Sequence, residues 1–174
     1  MKVTRRAVIA GAITIPAIAG LGSFALSQGN GGPLAGVYDP GLPAGKRLAS
    51  MLRDAGRGAR AVEGDRIRLA RELFAEKPPL LAGVTRSADA LLFAEVGAEE
   101  GYDLKLELRG NRHGCSGNSC YAEWNPLSRQ MVGAGPDWLG AFAGFVANPS
   151  SPVPMDGGAG DEAMSTAWLL VRRA

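Results

Sequence analysis

Between residues 34 and 109 the chain alternates short apolar runs with stretches whose apolar residues recur at helical spacing. No other feature restricts the fold so much. Residues 34–38 are an apolar run ended by the turn-forming triplet Asp39-Pro40-Gly41. In 46–55, Leu48, Met51, Leu52 and Ala55 share a helical face, and Gly56 stops it. Residues 60–63 read as a weak strand before Gly64-Asp65. Asp65 can cap a helix over 66–76 that aligns Ile67, Ala70, Leu73 and Phe74. Pro78-Pro79 ends that helix, and 80–85 reads as a buried strand. Ser87 then caps a helix over 88–100 with Leu91, Leu92, Glu95 and Val96 on one side and Gly101 as terminator. In 103–109, Leu104, Leu106 and Leu108 alternate with Lys105, Glu107 and Arg109, the pattern of an edge strand with one wet face.

Strands alternating with helices of this length imply parallel βαβ units with right-handed crossovers. The expected class is α/β: a three-layer sandwich with a mainly parallel sheet of about five strands, made of flavodoxin-like or Rossmann-like βαβ units. After Arg109 the rhythm stops. Residues 110–135 are rich in Gly, Ser and Asn, and read as an irregular insert. Pro136 can open a helix reaching Ala147, 148–160 is a Pro/Gly loop, and 166–172 is a last buried strand.

The N-terminus has the layout of an export signal. Met-Lys-Val-Thr-Arg5-Arg6 is followed by 20 uncharged residues, 7–26, and then a small-residue end. The Arg5-Arg6 pair with Val8 and Ile9 behind it resembles a twin-arginine (Tat) signal. Gly11, Thr14, Pro16, Gly20 and Gly22 dilute the apolar stretch, which suits a signal better than a membrane span. Ala25-Leu26-Ser27 fits a small-x-small cleavage rule, although 20 uncharged residues are also long enough for an uncleaved anchor. The expected organisation is a cleavable signal at 1–27, a Gly-rich linker at 28–33 and one α/β domain at 34–174, with no stable membrane span after cleavage. Location would be periplasmic or secreted. The Tat route carries folded chains, so redox enzymes and their accessory subunits are common company.

Export also changes the charge reading. Lys2, Arg5 and Arg6 are three of the 19 basic side chains, and none of the 17 acidic ones precedes Asp39. The remainder therefore holds 16 basic against 17 acidic groups, a net of −1. A near-neutral body lacks the basic face that nucleic acid requires.

Three short elements carry a resemblance to a known group. They are Val37-Tyr38-Asp39, Gly64-Asp65 and Ala82-Gly83-Val84-Thr85-Arg86-Ser87. Together with the signal, they resemble small bacterial Tat-signal-bearing secreted α/β proteins of unassigned function. The resemblance spans residues 36–109 and implies a fold, with no activity attached.

In open α/β sheets, ligands bind beyond the carboxyl ends of the strands. The polar residues that follow the strands are Asp39, Glu63, Asp65, Thr85, Arg86, Ser87, Arg112 and His113. Singly, Asp65 and Ser87 are ordinary caps and Asp39 an ordinary turn residue. Collectively they predict a polar cleft at one edge. The ligand-binding set would be Asp39, Asp65, Thr85, Arg86, Ser87 and Arg112, and the catalytic candidates Asp39, Asp65, Arg86 and His113.

Other motifs are weaker. Gly41-Leu-Pro-Ala-Gly45-Lys46-Arg47 is not a phosphate loop: it is one residue short, Arg47 replaces the magnesium-binding hydroxyl, and Pro43 removes an amide donor. His113-Gly-Cys115-Ser-Gly-Asn-Ser-Cys120 admits three readings. A Cys115–Cys120 disulfide suits an oxidising compartment. A metal site on His113, Cys115 and Cys120 would need an unusual fourth ligand. A thiol nucleophile would use His113 as base. The even cysteine count favours the disulfide and no metal. Four intervening residues exclude a Cys-x-x-Cys redox pair, Tyr121 after Cys120 excludes haem attachment, and no Gly-x-Ser-x-Gly elbow occurs. Tyr121, Trp124 and Trp138 cluster around the same segment.

Two function classes remain. The leading one is a non-catalytic exported α/β protein, a binding module for a small-molecule ligand or an accessory partner of a periplasmic enzyme, a redox enzyme included. Its rival is a small enzyme doing acid–base or thiol chemistry in the strand-end cleft. Composition and spacing name no cofactor.

Overall fold

The computed structural model describes residues 35–109, 126–149 and 164–173. Chain order is β1 (Ala35–Tyr38), α1 (Pro43–Asp54), β2 (Ala59–Ala61), α2 (Arg66–Ala75), β3 (Leu80–Thr85), α3 (Ser87–Glu99), β4 (Tyr102–Arg109), α4 (Pro126–Ala134), α5 (Trp138–Ala147) and β5 (Thr166–Arg172). The strands form one five-stranded sheet in the order β2-β1-β3-β5-β4. The class is α/β, as the alternation predicts.

The sheet is mixed, which corrects the expectation of a mainly parallel one. β1 pairs in parallel with β2 and with β3. β5 is antiparallel to both of its neighbours, β3 and β4. The cause lies in the connection from β4 to β5. Residues 126–134 form α4 rather than part of an irregular insert, so among the described residues two α-helices, α4 and α5, lie between these strands where one was expected. One crossover helix carries a chain back to the far edge, ready for a parallel strand. Two helices return it to the edge it left, and Thr166 accordingly pairs with Arg109.

Side chains of successive strand residues point to opposite faces. Leu80, Ala82 and Val84 of β3 therefore join one apolar cluster with Ala167 and Leu169 of β5, packed on α1, α4 and α5. Leu81, Trp168 and Leu170 join a second cluster with residues of α2 and α3. Trp168 is fully buried, and its indole lies across Gly83, its direct partner on β3. A Cβ at Gly83 would collide with that ring.

β4 is an edge strand, as its charged alternation predicts. Its register shifts between Leu104 and Leu106. The extra residue reverses the facing, as bulges do. Leu106 and Leu108 enter the first cluster, whereas Tyr102 enters the second beside Phe74, with ring centroids 4.8 Å apart. Leu104, expected to be buried with the other leucines, is 38% exposed.

α1 starts at Pro43, three residues earlier than its apolar spacing predicts, because proline is pre-set for a first helical turn. Gly45 lets this turn press directly on the Asp39 backbone. α2 begins as predicted, with the Asp65 side chain accepting from the Arg68 amide at 3.1 Å. α3 turns a different side inward than expected. Asp89, Ala90, Phe93, Val96 and Gly97 are buried, and Leu91 is 63% exposed. No described helix is long and apolar enough to cross a membrane.

Candidate functional site

β1 lies between β2 and β3 in the sheet, so the chain leaves β1 on one side for β2 and returns to the other side as β3. The helices that follow β1 and β3 also go to opposite faces, α1 to the first cluster and α3 to the second. Divergent loops at such a switch point are where open α/β sheets form their binding crevices.

Asp39 and Arg86 meet there. Arg86 Nε lies 3.2 Å from Asp39 Oδ2, and the Gly41 amide donates to Asp39 Oδ1 at 2.7 Å. The Asp39 amide extends the β1–β3 ladder by donating to the Val84 carbonyl at 3.0 Å. Strand pairing thus fixes the backbone of Asp39, and Gly41 and Arg86 fix its carboxylate. The ion pair is asymmetric in exposure: the carboxylate side chain is 12% exposed and the guanidinium side chain 59%. A side chain on Gly41 would press on both, since its Cβ would lie 3.0 Å from Asp39 Oδ1 and 3.1 Å from Arg86 Nη2.

A set of hydroxyls adjoins the pair. Trp168 Nε1 donates to Thr85 Oγ1 at 3.0 Å, and Thr85 Oγ1 donates to the Arg86 carbonyl at 3.1 Å. The Ser87 and Thr166 hydroxyls are 2.8 Å apart. Ser87 is therefore not the cap of α3: Arg86 holds the N-cap position, with no side-chain cap, and Ser87 turns towards β5. A second ion pair ties α2 to α3, with Arg66 Nε 3.2 Å from Asp89 Oδ1.

The structure thus brings together four of the predicted residues: Asp39, Thr85, Arg86 and Ser87. Asp65 is engaged elsewhere, capping α2. Glu63 is exposed in the loop after β2. Arg112, His113, Cys115, Cys120, Tyr121 and Trp124 lie outside the described residues, as do Arg5 and Arg6. Among the described residues, no group of three or more His, Cys, Asp or Glu side chains comes together.

Sequence reasoning missed Thr166, Trp168 and the Arg66–Asp89 pair. By sequence Thr166 is only the first residue of a buried strand. In a parallel strand the first residue lies at the far edge, but β5 runs backwards, so its first residue joins the site. Strand direction is the signal that would have found it.

No protein-family model, curated protein or solved structure is significantly similar to the chain.

Proposed function

We propose that the protein is an exported α/β binding module that takes a small-molecule ligand at the carboxyl edge of β1 and β3. In this reading Arg5-Arg6 direct it through the Tat machinery to a periplasmic or secreted location. There it serves as a ligand carrier or as accessory partner of a periplasmic enzyme, a redox enzyme among the candidates. Its fold is a three-layer sandwich akin to flavodoxin-like proteins, a reading supported by the two apolar clusters on alternate strand residues.

One observation carries the functional reading: the Asp39–Arg86 ion pair bridges the divergent loops at the switch point, with its guanidinium turned to solvent. An enzyme using Asp39 as its acid or base would need that carboxylate free to exchange a proton with substrate. Its two oxygens are instead engaged by the Gly41 amide and Arg86, which suits a fixed binding group better than an acid–base one.

The mature exported protein, purified and screened by thermal shift against small polar metabolites, tests the proposal. A stabilising compound should lose its effect in both Asp39→Asn and Arg86→Gln. Stabilisation that survives both substitutions places the ligand elsewhere. A bound chromophore or a stoichiometric metal in the same preparation contradicts a simple binding module.

A further inference from the structure

α2 and α3 form the layer that covers the second apolar cluster. Each follows a strand of the parallel part of the sheet, so both start at the carboxyl edge and run in the same direction. Arg66 is the first residue of α2 and Asp89 lies in the first turn of α3, and their ion pair of 3.2 Å holds the two helix starts side by side. Ile67 and Leu91 therefore lie near one level. Arg71 and Glu95 come one turn further on, because residues four apart are neighbours on one side of a helix. Leu69, Ala70, Leu73 and Phe74 of α2 and Ala90, Phe93 and Val96 of α3 turn inward. Ile67 is 48% and Leu91 63% exposed, and Arg71 and Glu95 are exposed as well.

The two helices are opposite in charge. α2 holds three arginines and one glutamate, whereas α3 holds three acidic residues and no basic one. Among the described residues, Arg71 and Glu95 take part in no ion pair, so both charges are open to a partner. The outer surface of this layer thus presents two large apolar side chains on adjoining helices, with an unpaired positive and an unpaired negative group beside them. Apolar surface rimmed by charge is the composition of an interaction surface.

This pattern is complementary to itself in one of the two ways that a pair of copies can stack face to face. A two-fold axis running between α2 and α3, parallel to both, lays the α2 of one copy over the α3 of the other. Ile67 then meets the partner's Leu91, Arg71 meets the partner's Glu95, and symmetry makes each contact twice. An axis across the helices instead sets the arginine-rich helix on its own copy and the acidic helix on its own copy, which like charges oppose. We infer that this face docks a second copy of the chain about the first axis, so that the protein is a two-fold dimer.

Sedimentation equilibrium of the mature protein from micromolar to millimolar concentration tests this, with circular dichroism to show that each surface variant is folded. A reversible monomer–dimer equilibrium is expected. Arg71→Glu or Glu95→Arg alone should raise the dissociation constant about tenfold, because each sets like charges against one another at two places across the axis. Leu91→Gln should weaken the dimer too. The double variant Arg71→Glu with Glu95→Arg exchanges the two signs and should restore dimerisation. An equimolar mixture of the two single variants should do the same, since every contact in the mixed dimer again joins opposite charges. A monomer at every concentration overturns the inference. A dimer that none of the single variants weakens overturns it as well, by placing the contact on another face. Weakening that neither the double variant nor the mixture reverses contradicts the arrangement of α2 over the partner helix α3.

Discussion

Gly83 is the residue on which the second apolar cluster turns. Its missing side chain makes room for Trp168, which stacks on Phe93 with centroids 5.1 Å apart at 20° and also donates to Thr85. One indole therefore serves packing and site geometry together. Gly83→Ala inserts a methyl group where the ring lies, and overpacking of a well-filled core costs roughly 1–3 kcal/mol. Urea unfolding should show that loss, with a shift in the near-ultraviolet signal of Trp168. Unchanged stability and spectrum would mean that the ring moves aside freely. Gly83 and Thr85 were both visible in the Ala82–Ser87 segment, but their partner was not. Trp168 lies 85 positions beyond Gly83, and pairing over that distance leaves no trace in local spacing.

At the scale of elements, the sequence resolved β3, α2 and β5 closely, because each is bounded by strong punctuation: Pro78-Pro79, an Asp65 cap, and a run of apolar residues between polar ends. It misjudged α3 because alanines and Gly97 form much of the buried side, whereas the larger Leu91 is turned outward. It misjudged β4 because a bulge does not show in the alternation itself. β4 also carries the clearest pH-dependent contact. Asp103 accepts from Arg173 Nε at 2.8 Å and from Lys105 Nζ at 3.0 Å. Arg173 and then Lys105 hold the Asp103 carboxyl below its ordinary value. Because the folded value is depressed, the contribution is present in full above the ordinary carboxylate range, near pH 4. It is lost as pH falls through the lowered value. Arg173 also donates to the Ala98 and Tyr102 carbonyls, fastening the end of β5 to the α3–β4 turn. Arg173→Ala should lower the melting temperature at pH 7 slightly and flatten the decline between pH 5 and 2. An identical pH profile in that variant would mean that the pair contributes nothing to stability. The Cys115–Cys120 pairing belongs to this scale too. Labelling of the native exported protein should find no reactive thiol, and Cys115→Ser should cost about 2 kcal/mol, the entropy of a short closed loop. Two reactive thiols would shift attention to His113 as a base or ligand.

For the whole molecule, the strand order was out of reach of the sequence for a definite reason. The βα rhythm predicts parallel neighbours, and it holds for β1, β2 and β3. The last strand enters between β3 and β4, so β4 has no partner until the C-terminal residues arrive. That insertion is a non-local event set by α4 and α5, and it brings Thr166 to the site. Arg5→Lys with Arg6→Lys should block export, because a guanidinium pair is not replaced by two ammonium groups at a site that reads its planar fork. Normal export of that variant would contradict the Tat assignment.

The proposed ligand position at the carboxyl edge of β1 and β3 can be read by hydrogen–deuterium exchange of the mature protein, with and without the stabilising compound. Slower exchange should be confined to peptides covering 39–45, 85–90 and 165–167. Protection that falls elsewhere, with these three segments unchanged, would contradict it.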